Sequence, residues 1–442
     1  MKLKRILGGL SLAALSLLIF SGCGSSKDGG SKDKAGENQT KITFWAAPNP
    51  TQLKYWEEMA ESFQKENKDI IVEVSQMKES PSSEATIQSA IASDTAPTLS
   101  ENINRSFAAQ LAASEAIVPL DKQDAFSTIV ADRNMTKTIE SWQFSDGSQY
   151  VLPVYSNPIL FAWRLDKLQE MGFEEAPKTY SELLEVAKKL SESKGDTVLW
   201  AKKDLGDPTA WMRWFDFFPL YNAASKGSAF VEDNKFVADE AALKDVFQLM
   251  SELSELKALR TGEATDPFEN GDSIMTDLGP WTFPNWAEKY PELTYGENYT
   301  VTAPVVPDAL SGEEQISTYA DAKGIVMYAQ ATEEEQQAAM KFLEFVYGNV
   351  ENDMKWLEVT SLIPARDDAT ESDEFKEYFE KNPAMKVFAE NVPAAVPAMD
   401  NENYNDIQQA FGEKAWVPVI RGEKQAAEAV DSAKEAVEGV FQ

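Results

Sequence analysis

The sequence predicts an α/β protein that is built from two lobes. With 442 residues, the chain is longer than one typical domain. Its first folded unit, residues 42–74, has the pattern strand–helix–strand, which predicts a parallel strand pair with a right-handed crossover. An apolar fraction of 43% with 11 Trp supplies enough side chains for a large core.

The first residues form a targeting segment. Lys2, Lys4 and Arg5 precede an apolar stretch at residues 10–20, and the small residues Ser21 and Gly22 follow it. This is the pattern of a secretory signal, so residues 1–22 are predicted to be a signal peptide. The apolar stretch is too short to span a bilayer comfortably.

Cys23 follows this segment directly and is the only cysteine, so a disulfide within the chain is excluded. Its position resembles a bacterial lipobox, although Phe20 departs from the usual aliphatic residue. The resemblance implies a lipid anchor at Cys23, the alternative being a free thiol in a plain transmembrane anchor. Residues 23–40 are too polar to fold and are predicted to be a flexible tether. A tethered lipoprotein with a large body is typical of the outer face of the cytoplasmic membrane in Gram-positive bacteria.

The charge composition excludes several function classes. The net charge of −32 repels nucleic acid and anionic lipid, and it disfavours an anionic ligand. The chain has no histidine, which removes Ser-His-Asp and Cys-His triads and the usual zinc sites. We therefore predict no catalytic residue, no metal and no cofactor.

Helical spacing marks the elements that follow the first strand, residues 42–45. Leu53, Trp56, Ala60 and Phe63 recur on one face of a helix that leads to a strand at residues 70–74. Further predicted helices cover residues 85–92 and 106–113. The polar residues 101–105 between these two helices are predicted to form a loop.

The middle of the chain contains the most aromatic stretch, residues 207–221. Trp211, Trp214 and Phe218 are spaced by three and four, which predicts a helix with one aromatic face. A second amphipathic helix is predicted at residues 241–259. Both helices precede the segment at residues 268–281.

That segment, residues 268–281, reads FENGDSIMTDLGPW. Its polar residues predict a turn, residues 273–276 predict a short strand, and Gly279-Pro280 ends the strand. Trp281 is thus predicted on a loop at the carboxyl end of a strand, where open α/β sheets bind ligands. The alternative for Trp281 is a buried position in the hydrophobic core.

The remaining elements complete the alternation of strands and helices. Strands are predicted at residues 301–307 and 324–329, and capping boxes open helices at Thr179 and Thr332. Spacings of three and four from residue 426 to residue 440 predict a terminal helix. Tyr404 lies in a predicted polar loop.

Several motifs occur together in the order of a known family. They are ITFW at residues 42–45, SDTAP at 93–97, GSQYVLP at 147–153, PKTYSEL at 177–183, the segment 268–281 and SLIPA at 361–365. This set resembles extracellular solute-binding proteins of ABC importers, in the maltodextrin-binding-like branch. The resemblance implies the two-lobed, type II periplasmic-binding-protein-like fold, with a cleft between lobes joined by hinge strands. It places residues 41–154 plus 324–364 in the N-terminal lobe and residues 155–323 plus 365–442 in the C-terminal lobe.

The resemblance also implies a ligand site in the cleft. Aromatic faces suit sugar rings, and planar polar side chains suit sugar hydroxyls. The predicted ligand-binding residues are Trp45, Trp211, Trp281 and Tyr404 for stacking, and Asn49, Asn104, Arg105, Tyr155, Asn157 and Asp321 for hydrogen bonds. Four of these residues have an alternative role. Asn49 is alternatively a turn residue, and Asn104 and Arg105 are alternatively the solvated start of a helix. Trp211 is alternatively a residue of the hydrophobic core.

The implied function is capture of a carbohydrate, preferably an oligosaccharide, outside the cell and its delivery to the membrane permease subunits. The protein is expected to be a monomer with no nucleic-acid partner. Two alternatives stay open. One is a secreted glycoside hydrolase with paired carboxylates. The other is a polyamine- or cation-binding transport protein, favoured by the acidic charge.

Overall fold

The computed structural model of the chain describes residues 39–193, 195–209 and 213–442. The predicted signal peptide, most of the tether, the lipid anchor Cys23 and the stacking residue Trp211 lie outside the described residues. Within these ranges, no helix combines the length and apolar character needed to cross a membrane.

The strands and helices alternate along most of the chain, as predicted. The strands are β1 (Thr40–Ala46), β2 (Ile70–Gln76), β3 (Leu99–Ile103), β4 (Leu152–Pro158), β5 (Leu160–Trp163), β6 (Val198–Ala201), β7 (Val231–Glu232), β8 (Lys235–Phe236), β9 (Leu259–Arg260), β10 (Ser273–Leu278), β11 (Thr300–Thr302), β12 (Thr318–Met327) and β13 (Ala395–Val396). The helices are α1 (Pro50–Glu66), α2 (Ser83–Ala92), α3 (Arg105–Ala113), α4 (Phe126–Asp132), α5 (Thr136–Glu140), α6 (Leu165–Glu170), α7 (Tyr180–Ser193), α8 (Phe217–Ser225), α9 (Glu240–Glu255), α10 (Thr282–Lys289), α11 (Glu333–Tyr347), α12 (Val350–Thr360), α13 (Asp373–Lys381), α14 (Pro383–Asn391), α15 (Tyr404–Phe411), α16 (Val417–Ile420) and α17 (Ala426–Val440).

The first sheet has the order β13-β12-β3-β1-β2, and β4 also pairs with β12. β1 lies parallel to β2 and to β3, which confirms the predicted strand–helix–strand unit. Along β1, the buried residues Ile42, Phe44 and Ala46 alternate with more exposed residues. Trp56 and Phe63 of α1 belong to the same buried cluster. The period-2 pattern of the strand thus meets the helical stripe of α1 in the first core.

The second sheet has the order β11-β5-β10-β6-β9. Its central strands are covered on both faces, as β5 shows: Phe161 and Trp163 belong to one buried cluster, and Leu160 and Ala162 belong to another. Helices α7, α8, α9, α15 and α17 contribute to the first of these clusters, and α13 and α14 contribute to the second.

The chain passes between the two sheets within a few residues. β4 belongs to the first sheet and β5 to the second, with Ile159 between them. At this point the Ile159 N–H donates to the Tyr319 carbonyl at 2.8 Å, and the Thr318 hydroxyl donates to the Ile159 carbonyl at 2.5 Å. β4 and β12 are therefore crossing strands that run side by side. The two-lobed α/β fold with a cleft between the lobes is confirmed.

A buried ionic cluster fixes the start of this crossing. Arg133 Nη2 lies 2.7 Å from Asp353 Oδ1, and Arg366 Nη1 lies 3.2 Å from Asp353 Oδ2. The Arg133 guanidinium also donates to the carbonyl of Val154 at 2.6 Å and packs over the ring of Tyr347 at 4.0 Å. Because two guanidinium groups bind the same carboxylate, β4, α12 and the segment after α12 are held together.

Some predicted bounds were wrong. The described part of the aromatic stretch becomes α-helical only at Phe217, because the carboxylate of Asp216 caps that residue and also binds Arg213. The predicted helix at residues 241–259 ends at Glu255. Tyr404 is the first residue of α15 rather than part of a loop, since Tyr404, Ile407 and Phe411 form a buried helical stripe.

Candidate functional site

Five aromatic rings contact one another in succession, from Trp281 to Tyr404, and are called the aromatic row here. Trp281 meets Phe215 edge-on at 6.4 Å between ring centroids, and Phe215 meets Tyr319 edge-on at 6.1 Å. Tyr319 stacks on Trp214 at 4.9 Å with 11° between the planes. Trp214 lies 6.5 Å from Tyr404. The row thus joins the crossing strand β12 to three separate parts of the second lobe.

Two cavities border the aromatic row. Trp214 and Tyr319 line a cavity of about 520 Å³, together with Arg105. Phe215 and Trp281 line another cavity of about 260 Å³. Trp214 and Tyr319 therefore have ring surface at the larger cavity, and Trp281 has the most exposed ring of the row.

Trp281 is the most exposed of the five rings. Its side chain is 41% exposed, and it directly precedes α10 at the carboxyl end of β10. The sequence analysis left open whether this residue belongs to the core, and the exposure excludes that alternative. Gly279 provides the space that the indole needs, because a Cβ atom there would lie 2.1 Å from Trp281 Cη2.

Asn157 and Asp321 lie opposite each other on the crossing strands β4 and β12. Directly opposed residues of an antiparallel pair project from the same face of the sheet. Asn157 is fully buried; its Oδ1 accepts from the Ile363 N–H at 3.0 Å, while its Nδ2 has no partner among the described residues. Burial raises the pKa of the Asp321 carboxyl group, and the positive Lys323 acts against this rise. An amide donor and a carboxylate thus lie together at the crossing.

Tyr155 lies two residues before Asn157 on β4 and faces the first lobe. Its ring stacks on Trp356 with 6.2 Å between centroids and 18° between planes. Burial raises the pKa of its hydroxyl group well above the ordinary value, and the charges of Asp321 and Glu101 raise it further. The hydroxyl group therefore remains protonated and can act as a donor beside Asp321.

Asn49 and Asn104 both open helices of the first lobe. Asn49 Oδ1 accepts from the N–H groups of Thr51 and Gln52 at 2.9 and 3.3 Å. Asn104 Oδ1 accepts from the Phe107 N–H at 2.8 Å. In both residues the cap uses only the Oδ1 atom. The Nδ2 group of either side chain can therefore still donate to a ligand.

The remaining predicted residues differ in how close they come to the aromatic row. Arg105 lines the larger cavity, where its guanidinium lies 5.2 Å from the Phe144 ring centre and donates to the carbonyl groups of Gln143 and Ala398. Trp45 is partly buried and packs against the core of the first lobe. Of the predicted residues, the structure thus brings Trp281, Tyr404 and Arg105 to the row or its cavities, and it places Tyr155, Asn157 and Asp321 beside Tyr319.

Comparison with known proteins decides the family. Residues 58–387 match the family described as bacterial extracellular solute-binding protein. The chain belongs to this family.

Solved structures agree with the assignment. The solute-binding protein is 65% identical to an uncharacterized protein from Listeria monocytogenes EGD-e, with a TM-score of 0.90 over 91% of this chain and 100% of that one. A cyclic alpha-maltosyl-1,6-maltose binding protein from Arthrobacter globiformis is 19% identical, with a TM-score of 0.77 over 91% and 99%. The sugar-binding protein MalE from Xanthomonas citri is 17% identical, with a TM-score of 0.73 over 91% and 97%. At these lower identities the likeness shows the fold.

Three members of the row were missed by the sequence analysis as site residues: Trp214, Phe215 and Tyr319. Trp214 was assigned to the face of a predicted helix, but it precedes α8 in the solute-binding protein. A signal for Tyr319 was present, because it lies two residues before Asp321 and so shares its face of the strand. Within the described residues, no group of His, Cys, Asp and Glu side chains could hold a metal ion.

Proposed function

We propose that this solute-binding protein is the substrate-binding lipoprotein of an ABC importer, and that it captures an oligosaccharide between its lobes for delivery to the membrane permease. The observation that carries the proposal is the aromatic row from Trp281 to Tyr404. A neutral sugar binds through its apolar ring faces and its hydroxyl groups, and aromatic rings beside planar polar side chains meet both needs.

The extent of the row favours an oligosaccharide over a single sugar. Trp281 exposes its ring, and Trp214 and Tyr319 border the larger cavity, so aromatic surface is available at two separate places rather than at one isolated platform. Asn157 and Asp321 add an amide donor and a carboxylate acceptor beside the row. The names of the proteins from Arthrobacter and Xanthomonas, which refer to maltosyl-maltose and to sugar, support the same ligand class.

Capture would use closure of the two lobes around the ligand. We assign residues 41–154 plus 324–364 to the N-terminal lobe and residues 155–323 plus 365–442 to the C-terminal lobe. The chain passes from the first sheet to the second at Ile159, close to the first of these boundaries, and the Ala365 N–H donates to the Val154 carbonyl across the last one at 3.2 Å. A ligand that binds the closed state better than the open state shifts the population towards closure.

The location is part of the proposal. A signal peptide at residues 1–22, a lipid anchor at Cys23 and a polar tether would hold the protein on the outer face of the cytoplasmic membrane. A neutral ligand is compatible with the net charge of −32, which would repel an anionic ligand.

The proposal is tested by a thermal-shift screen followed by calorimetric titration. The panel contains maltose, maltotriose, cyclic α-maltosyl-1,6-maltose and spermidine. A ligand that binds only the folded state raises the melting temperature with its concentration. We expect a carbohydrate to do so and to be recovered intact. Stabilisation by spermidine alone would overturn the proposal in favour of a cation carrier, and shortened oligosaccharides would overturn it in favour of a hydrolase.

A further inference from the structure

Glu101 is a carboxylate buried inside the first lobe. It lies in the middle of β3 and has no exposed surface. Its Oε2 accepts from the Ala47 N–H at 2.9 Å and from Trp56 Nε1 at 2.8 Å, and its Oε1 accepts from Gln52 Nε2 at 2.8 Å. All three donors are neutral groups of the loop after β1 and of helix α1.

These bonds close a circuit around the loop that carries Asn49. The Ala47 N–H donates to Glu101, and the Ala47 carbonyl accepts from the Asn49 N–H at 2.7 Å. The side chain of Asn49 then caps the N–H of Gln52, whose amide group returns to Glu101. Each member of the circuit is therefore held on both sides, and the position of Asn49 depends on the carboxylate of Glu101.

The electrostatic surroundings of Glu101 leave its charge weakly compensated. Among the described residues it forms no ion pair, and the positive group that acts on it is Lys323 of β12, whose Nζ donates to Asn102 Oδ1 at 2.9 Å. The other titratable groups facing it are the hydroxyl groups of Tyr55, Tyr155 and Tyr347, from α1, β4 and α11. Burial raises the pKa of the Glu101 carboxyl to about 7, although its hydrogen bonds and Lys323 act in the opposite direction.

We propose that Glu101 is a positioning residue, which sets the geometry of the loop that carries Asn49, one of the residues predicted to bind the ligand, and makes this loop respond to pH. The charged carboxylate is an acceptor for all three N–H donors. A proton on Oε1 turns that oxygen into a donor, which the amide of Gln52 can meet only by presenting its own carbonyl oxygen. Protonation of Oε1 therefore removes or reverses the bond between Gln52 and Glu101, at the residue whose N–H group Asn49 caps.

The first test needs no ligand. The indole N–H of Trp56 reports on Oε2, so its NMR resonance, assigned with Trp56→Phe, is followed from pH 5 to pH 9. We expect it to titrate with a midpoint near neutral pH and to stop titrating in Glu101→Gln. Amide exchange at Ala47 and Asn49 should be faster in Glu101→Gln than in the wild type at pH 8. The control Glu73→Gln alters an exposed carboxylate on β2, paired with Lys41, and should change neither readout.

A second variant covers the case in which Glu101→Gln does not fold. Gln52→Leu removes one donor and no charge, so it should move the titration midpoint of the Trp56 indole to higher pH. An indole resonance that does not titrate in the wild type would overturn the pH response. Unchanged exchange at Ala47 and Asn49 in both variants would overturn the positioning role.

The last test concerns binding and rests on the proposed function. Titration with maltotriose should show affinity that changes between pH 5.5 and 8.5 in the wild type and is flat in Glu101→Gln. We expect affinity in this variant at pH 8 to be weaker by about twofold to tenfold, as for one lost hydrogen bond. Failure of the wild type to bind any carbohydrate would overturn the proposed function, whereas the indole titration and amide exchange would still decide the role of Glu101. Identical pH profiles in the wild type and the variant would overturn its role in the site.

Discussion

The hydroxyl group of Tyr404 donates a hydrogen bond to Oε1 of Glu84 over 3.2 Å, and the two residues belong to different lobes. Tyr404 opens α15 and packs in the core of the second lobe, whereas Glu84 lies in the first turn of α2. Burial and the charge of Glu84 raise the pKa of the Tyr404 hydroxyl to about 12, so it remains a donor at neutral pH. The end of the aromatic row is thus tied to the first lobe.

Replacement of Tyr404 by Phe should separate this bond from the stacking of the ring. We expect ligand affinity to fall by about twofold to tenfold, because the contact between the lobes loses one hydrogen bond while the aromatic ring stays. Calorimetric titration with the carbohydrate found in the screen measures the loss. Glu84→Gln retains an acceptor and should bind nearly as well as the wild type; an equal loss in both variants would contradict this explanation.

Trp281 and Trp286 provide a matched pair of tryptophans at α10. Trp281 is 41% exposed, whereas Trp286 is 3% exposed and donates to Glu269. Trp281→Ala should weaken binding by about 1–3 kcal/mol, or roughly fivefold to 150-fold, and should leave the melting temperature almost unchanged. Trp286→Ala should instead destabilise the fold by about 3–5 kcal/mol. Thermal melts and titrations of both variants distinguish the roles, and wild-type affinity in Trp281→Ala would remove Trp281 from the site.

Closure of the lobes should be visible in solution. The crossing strands β4 and β12 provide short connections about which the lobes can rotate. Small-angle scattering should give a smaller radius of gyration with saturating ligand than without it. A radius that stays constant under saturation would count against hinge closure as the means of capture.

Anchoring by Cys23 is tested by its replacement with Ser. The variant has no thiol for lipid attachment, so after signal cleavage it should be released into the medium without modification. Fractionation and mass spectrometry of the released protein measure this outcome. Retention of the cleaved variant in the membrane would show that another feature holds the protein there.

Glu101 should make the stability of the ligand-free protein depend on pH. Its pKa in the folded state, about 7, exceeds the value of 4.5 for a free carboxyl group, so the unfolded state loses this proton first. The contribution of protonated Glu101 is therefore complete below about pH 4.5 and is lost as the pH rises through 7, by roughly 3 kcal/mol in total. Denaturant unfolding between pH 5 and 8 should show this fall in the wild type and a smaller one in Glu101→Gln. Equal slopes in the two proteins would contradict it.

The sequence alone determined the local elements and the fold class. The alternation of β1, α1 and β2 follows from residue periodicity, and the capping boxes at Thr179 and Thr332 form as predicted. These features depend on neighbours within a few residues, whose preferences are already present in a single helix or strand. The ordered motifs also predicted the two-lobed architecture, because each motif marks one local element of that fold.

Only the tertiary structure decided which aromatic side chains meet. The five rings of the aromatic row come from four distant segments of the chain. Their contacts depend on how the chain crosses between the two sheets. The environment of Glu101 is equally non-local, since its pKa depends on burial, which no residue spacing reports. Periodicity indicates which face of a helix or strand is buried. It does not indicate which other elements that face contacts, because those contacts depend on the packing of the whole chain.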